Sequence, residues 1–283
     1  MTAKAPSLKP EDIERYRQDG YLTGRPLLSA ETADRYRAAC VATCGQPIKD
    51  GVHRQASNRV KPYLLYAWAA ELARQPAILD AVEALIGPDI LLFHTTVWYK
   101  DGGTENFVPW HQDATYFGLA PFEHVTAWAA LTPSTPENGC VQVLPRTHTR
   151  GQLGHLDQRD ERAMLSRGQT LNEAVDATGA VDLAMQPGDV SFHHTLLAHR
   201  SGPNLSKAPR IGVGLSYIPA HVKHIGETRL SATLVRGQDR FGHFDHEPVP
   251  TADANPAAIA AHADALHRFW VASESIPEMA YAH

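Results

Sequence analysis

The 283-residue sequence is short of most features that mark a specialised class of chain. It has only three cysteines, an odd number that sets up no disulfide framework. Cys40 and Cys44 lie four apart in a helical pattern, with no second pair to complete a zinc site, and read as small core residues. No block of like charge appears. A formal net charge of -5 and a sequence pI near 6.3 offer no basic face for a nucleic-acid backbone. No apolar run reaches the length of a bilayer crossing. The opening Met1-Thr2-Ala3-Lys4-Ala5-Pro6 lacks the apolar stretch of a secretory leader. Internal repeats and low-complexity tracts are missing as well. These absences exclude a disulfide-stapled scaffold and argue against nucleic-acid and membrane partners. The expectation is a cytoplasmic protein, monomeric or homodimeric.

What is present is an ordinary globular composition, 43% apolar and 20% charged. The length suits one all-β domain with helical additions, so residues 1–283 read as a single domain. About 1–88 reads as helical. Pro10 opens a helix that Gly20 ends, Ser29 caps a second that closes at Gly45, and Pro76 opens a third, Ala77 to Ile86, before Gly87. These helices are expected to pack on the outside of a sheet. From Asp89 the texture changes to β-branched and aromatic residues, and His94, Thr96, Trp98 and Lys100 fall on one face of an alternating run. Further strands are expected around 108–116, 124–132, 140–144, 181–185, 189–193, 196–200 and 210–219, separated by Gly, Pro and Asn turns. Short strands with such punctuation predict a mainly β protein with flanking helices, a sandwich or jelly roll with its core at about 89–220. Residues 150–180, with Arg159, Arg162 and Arg167, read as a helical, charged insertion, either a solvated helix or a lid. The extension of about 221–283 ends in a helix near 256–272.

Sixteen histidines are the unusual count. His111-Gln112-Asp113 places an imidazole and a carboxylate two apart, on one side if the segment is a strand. A two-histidine, one-carboxylate facial triad needs this pair and one distant histidine, and it leaves iron three open positions. The segment from Gly188 to Asn204 offers such a histidine at the end of a short apolar strand, followed by Ser201-Gly202-Pro203-Asn204 and then Arg210. A hairpin there returns Arg210 beside His199. An arginine so placed suits a bidentate pair with a carboxylate. By contrast, His221-Val222-Lys223-His224 and His243-Phe244-Asp245-His246 lack the His-Glu-x-x-His arrangement and read as surface loops.

From Asp12–Leu22 to the strand after Arg210, the chain resembles the phytanoyl-CoA dioxygenase family of iron(II)- and 2-oxoglutarate-dependent oxygenases. The specific stretches are Trp110 to Asp113, Pro136 to His148, and Gly188 to Asn204. The resemblance implies a double-stranded β-helix of the cupin-like jelly-roll kind, with Fe(II), 2-oxoglutarate and O2 as cofactor and cosubstrates. It implies that His111, Asp113 and His199 ligate iron, and that Arg210 and Ser201 bind the distal carboxylate of 2-oxoglutarate while Trp128 walls its pocket. His193 and His194 are then candidates either for supporting the ligands from behind or for a structural role, with the structural role preferred. Halogenating relatives replace the carboxylate with a small residue; Asp113 is present, so hydroxylation or a related oxidation is expected. His94, Trp98 and Tyr116 are candidates for contact with a small-molecule substrate. The rival readings are a metal-dependent hydrolase on the same residues, which has no need of Arg210 and Ser201, and a non-catalytic cupin-like binding protein, which has no need of an intact triad.

Overall fold

The computed structural model of the chain describes residues 8–45, 57–158, 160–165, 168–172 and 175–275. Its larger sheet has seven strands, in the order Tyr21–Pro26, Asp189–His194, Val125–Ala130, Arg210–Pro219, Ile90–Lys100, Ser231–Arg236 and Asp245–His246. Neighbours are antiparallel except for the last pair. A smaller sheet orders Val108–His111, His199–Ser201, Val141–Val143 and Val181–Asp182.

Side chains alternate between the faces of a strand, and here the two faces of the larger sheet have different tasks. Val97, Tyr99, Val125, Ala127, Val190, Phe192, Val213 and Leu215 point to one side. There they share a core with Tyr16, Tyr36, Cys40, Ile78 and Val82 from the helices Pro10–Asp19, Ala30–Cys44 and Pro76–Ile86. Each large apolar side chain buried in this way contributes about 1.5–3 kcal/mol. The helical expectations hold at their ends. Ser29 accepts from the Thr32 amide, Gly20 is left-handed at φ 83°, and Pro10 and Pro76 open their helices.

The other face looks toward the smaller sheet, and Trp128, Ala130, Val141, Val143 and Leu197 close the space between the two. This is the jelly-roll arrangement of a mainly β fold with flanking helices. The polar members of the inner face are His94, Thr96, Lys100, Thr126, Ser191, His193, Arg210 and Ser216. Gly212 and Gly214 stand among them because two tryptophans need the room. A Cβ on Gly212 would lie 1.9 Å from the Trp128 ring, and one on Gly214 3.2 Å from Trp98 Nε1.

Several expectations are corrected, the hairpin of the His199 and Arg210 strands among them, since His199–Ser201 and Arg210–Pro219 lie in different sheets. The first ninety residues are not all helical: Tyr21–Pro26 is the edge strand beside Asp189–His194, where Pro26 is tolerated at the strand's end. The strand expected over 108–116 stops at His111, and Ala114–Phe117 forms one helical turn. The described part of 150–180 contains no α-helix; His155–Asp157 pairs with Gln169–Leu171 instead. Arg159 and Arg167 lie outside the described residues. The core sheet, expected to end at about 220, runs on, because Ser231–Arg236 pairs with Ile90–Lys100 inside the larger sheet. Lys223–His224 and Asp245–His246, expected as loop, are two-residue strands. The last helix runs Pro256–Ser275, slightly beyond the expected end.

Candidate active site

His111 and His199 are direct partners across the antiparallel pair of strands that carries them. Their rings sit side by side, with centroids 4.1 Å apart. Each ring is fixed in the same way, with Nδ1 2.9 Å from the carbonyl two residues back, that of Pro109 or Leu197. A donating Nδ1–H leaves Nε2 bare, the tautomer a metal ligand needs. Both Nε2 atoms face Asp113 Oδ1, at 3.6 Å from His111 and 3.7 Å from His199.

Asp113 arrives by a different route from the one its spacing suggests. It caps the helical turn at φ -59°, ψ -33°, so the chain's bend after His111, rather than strand alternation, brings the carboxylate round. Gln112 holds that bend. Its side chain donates to the carbonyls of Gly151 and Leu196 and accepts from the Leu153 amide, while its own amide donates to His155 Nε2. One ligand atom from each of His111, Asp113 and His199 lies within 4.8 Å of the others.

Electrostatics suits a cation. Burial holds the His199 imidazole well below its ordinary pKa, with His111 adding to the effect. Burial pushes the Asp113 carboxyl up, but the surrounding histidines, His199 foremost, outweigh it and leave the group well below the usual carboxylate range. An ionised carboxylate beside a neutral imidazole is the protonation state that metal binding requires.

A cavity of about 60 Å³ runs from this cluster to Arg210 and is lined by Trp128, Val141, Ser201 and Gly214 among others. Arg210 is 1% exposed. Its Nη2 donates to the Gly139 carbonyl at 3.1 Å, and its guanidinium lies 5.3 Å from the Trp128 ring centroid. Its Nε and Nη1 have no protein partner, an expensive state for a buried cation. Burial pushes its pKa down to about 10. Lys100 lies opposite Arg210 in the strand register. It donates to Ser201 Oγ at 2.6 Å and also to the Ser201 and Gly202 carbonyls. Burial and the neighbouring Arg210 push it down to about 6. Ser201 Oγ accepts from Lys100, so its own hydrogen is available to the cavity. A buried guanidinium with two unpartnered nitrogens, and no carboxylate partner among the described residues, makes this end of the cavity a site for an anion.

A second cavity, of about 110 Å³, opens on the other side of the cluster. His94, Trp98, His111 and Asp113 line both cavities, which therefore meet at the histidine–carboxylate cluster. Arg59, Tyr116, Met164, Leu165, Phe269 and Trp270 belong to the second alone. His94 stacks on Phe269 at 4.5 Å.

The structure thus brings together all nine residues singled out in the sequence. It also gives a place to residues that sequence reasoning left open or passed over. His193, left between a supporting and a structural role, is buried with Nε2 3.4 Å from Asp113 Oδ2, and neither of its ring nitrogens is hydrogen-bonded. Its position two residues along from Ser191 on the inner face was the available signal. His194 is on the opposite parity; its Nδ1 accepts from the Leu196 amide, and its ring packs near Tyr16 and His148. Thr126, which donates to Asp113 Oδ2 at 2.9 Å, carried no signal at all.

Comparison with known proteins fits this geometry. A family model for phytanoyl-CoA dioxygenase (PhyH) matches residues 16–212. A methylphosphonate hydroxylase from Gimesia maris is 30% identical over 264 residues, which cover 86% of this chain and 97% of that protein. Among solved structures, the non-heme monooxygenase ThoJ superposes with a TM-score of 0.80 at 30% identity, covering 93% of this chain and 97% of its own. CytC3, solved with Fe(II) and alpha-ketoglutarate, shares the fold at a TM-score of 0.65 and 23% identity, with 88% of this chain and 97% of that chain covered. The chain belongs to the phytanoyl-CoA dioxygenase family of iron(II)- and 2-oxoglutarate-dependent dioxygenases.

Proposed function

We propose that His111, Asp113 and His199 hold the iron and that Arg210, with Ser201, holds the distal carboxylate of 2-oxoglutarate. The observation that carries this reading is the cavity itself. One end gathers two imidazoles and a carboxylate with their ligand atoms converging, and the other holds a buried guanidinium with two unpartnered nitrogens. The dianion's far carboxylate matches the fork of Arg210. Trp128 packs against that guanidinium and walls the pocket.

Iron(II) with 2-oxoglutarate supplies the oxidation of an unactivated C–H bond by O2, with release of succinate and carbon dioxide. The residues of this chain supply orientation and dryness. His111 and His199 present fixed Nε2 atoms, and Asp113 completes a triad that leaves the remaining positions to non-protein ligands. Trp98, Phe117 and Phe269 line the side from which a substrate would enter and exclude water there.

The substrate we propose is a small metabolite or the reactive end of a natural-product intermediate. It would bind in the second cavity against His94, Trp98 and Tyr116. Trp98, Tyr116, Phe117, Phe269 and Trp270 supply that cavity's aromatic wall, and Arg59 alone, rather than the cluster of basic residues a CoA cradle would require, lines it with a permanent positive charge. Hydroxylation is the favoured outcome because Asp113 fills the position that a halide would otherwise take.

The test is turnover of purified protein with iron(II), 2-oxoglutarate, O2 and a panel of small metabolites. Succinate should form, and the product should gain an oxygen atom from O2 or lose two hydrogens. Chloride should not enter the product. Asp113→Ala, His111→Ala and His199→Ala should each abolish turnover. Zinc-supported turnover without 2-oxoglutarate would overturn the reading in favour of a hydrolase.

A further inference from the structure

Asp113 presents its two carboxylate oxygens to different surroundings. Oδ1 faces the Nε2 atoms of His111 and His199. Oδ2 faces the larger sheet, where Thr126 Oγ1 lies at 2.9 Å and His193 Nε2 at 3.4 Å. Thr126 Oγ1 is also 3.1 Å from His124 Nε2 and 3.5 Å from Ser216 Oγ. His124 Nδ1 in turn lies 3.0 Å from Thr195 Oγ1. All three residues are buried, with exposures of 6% for Thr126, 1% for His124 and 2% for Thr195.

Counting hydrogens gives the chain a direction. An ionised carboxylate only accepts, so the one hydroxyl hydrogen of Thr126 goes to Asp113. Thr126 must then accept from His124, which puts the ring hydrogen on Nε2. Nδ1 is left bare and accepts from the Thr195 hydroxyl. Burial pushes the His124 imidazole down to about 3, so it stays neutral and keeps a single tautomer. The backbone closes the circuit, because the Thr195 amide donates to the His124 carbonyl and the Ala114 amide donates to the Thr195 carbonyl. Thr195 is therefore tied both to the relay and to the turn that carries Asp113.

We propose that Thr195, His124 and Thr126 form a one-way hydrogen-bond relay that holds Asp113 by Oδ2, so that it serves the metal through Oδ1 alone. A free carboxylate can swing both oxygens onto a metal and take a position that 2-oxoglutarate or O2 needs. The relay gives Oδ2 a competing partner. Thr126 and His124 are positioning residues, and their effect reaches the metal through Asp113. The inference rests on Asp113 being a metal ligand.

The experiment measures iron(II) affinity of the full chain under anaerobic conditions, with thermal melting of the metal-free protein alongside. Thr126→Val keeps the shape and removes the hydroxyl; its dissociation constant for iron(II) should rise by about 10- to 100-fold. Thr126→Ser keeps the hydroxyl and should return close to wild type. His124→Phe, with Thr126 intact, should weaken binding in the same direction by less, with the metal-free protein still folded. Wild-type affinity in Thr126→Val, or equal losses in the Val and Ser variants, would overturn the relay. Should Thr126→Val fail to fold, unchanged affinity in His124→Phe overturns it instead. Asp113→Ala separates the two levels: normal iron binding in that variant would remove the ligand assignment itself, whatever Thr126 does.

Discussion

Among the described residues, the buried cation Arg210 hydrogen-bonds the Gly139 carbonyl through Nη2 and leaves Nε and Nη1 without a protein partner. On the proposed cosubstrate site, those two nitrogens make Arg210 the strongest determinant of 2-oxoglutarate affinity. Arg210→Ala removes a bidentate, charge-assisted contact, and the loss should be about 2–4 kcal/mol, or roughly 30- to 1000-fold in the apparent KM for 2-oxoglutarate. Arg210→Lys keeps charge without the fork and should recover only part of it. Steady-state titration of 2-oxoglutarate in both variants checks this, and an unchanged KM in Arg210→Ala would point to Lys100 as the true anchor. The proposed metal ligands and the proposed cosubstrate anchor were visible in the sequence. His111, Asp113, His199 and Arg210 stand in short motifs whose residue types already imply a task. Thr126, His124 and Lys100 were not, because each matters only through what it touches across a sheet. A threonine in a strand looks the same whether it faces solvent or a carboxylate.

Among the elements, the strand Arg210–Pro219 is the most constrained, with every residue buried. Gly212 and Gly214 sit on its inner face for different degrees of crowding. A Cβ at Gly212 penetrates the Trp128 ring, whereas one at Gly214 meets Trp98 Nε1 at a distance that a small shift relieves. Gly212→Ala should therefore destabilise by about 1–3 kcal/mol and raise the KM for 2-oxoglutarate, because Trp128 must leave the Arg210 face. Gly214→Ala should cost distinctly less. Denaturant unfolding of the two variants settles the order, and equal stabilities would mean that Trp128 has room to move. Element reading from the sequence succeeded where a capping residue or strict alternation marked the element, as at Ser29 or Ile90–Lys100. It failed over 150–180, where charge spacing suggested a helix. There the segment is pinned instead by partners remote in sequence. Phe107 exchanges backbone hydrogen bonds with Arg162 and Met164, and the Gln158 amide reaches Gly168. The substrate-side cavity takes Phe269 and Trp270 from beyond the residues that the family model matches, so local pattern gave no hint of them.

At the scale of the whole molecule, the fold stores an unusual number of neutral histidines. Burial pushes His94 and His124 down to about 3, and His155 and His194 down to about 4. His199 and His224 are lowered in the same direction by the same cause. In the unfolded chain these groups titrate near 6.5, so between that value and 3–4 the unfolded state binds more protons than the folded one. The stability they contribute is fully present above pH 6.5 and is withdrawn as the pH falls toward 3–4. Each pH unit in that window withdraws about 1.4 kcal/mol per group. By pH 5, His94, His124, His155 and His194 together withdraw on the order of 5–8 kcal/mol, allowing for the solvent that reaches His155 and His194. That is comparable with the whole stability of an ordinary domain, about 5–15 kcal/mol. Metal-free protein should therefore unfold near pH 5 under conditions where it is stable at pH 7. The slope of stability against pH near 6 should correspond to roughly three protons or more taken up on unfolding. Lys100, lowered to about 6, extends the rise above pH 6 and adds nothing below it. His94→Phe isolates one contribution. It replaces a ring already stacked on Phe269, whose Nδ1 has no partner, and it should lower the proton count near pH 6 by close to one without losing the fold. Denaturant unfolding at a series of pH values, on wild type and His94→Phe, provides the measurement. A stability that stays flat from pH 7 to 5, or a proton count that the substitution leaves unchanged, would show that these imidazoles are solvated rather than held neutral by the fold.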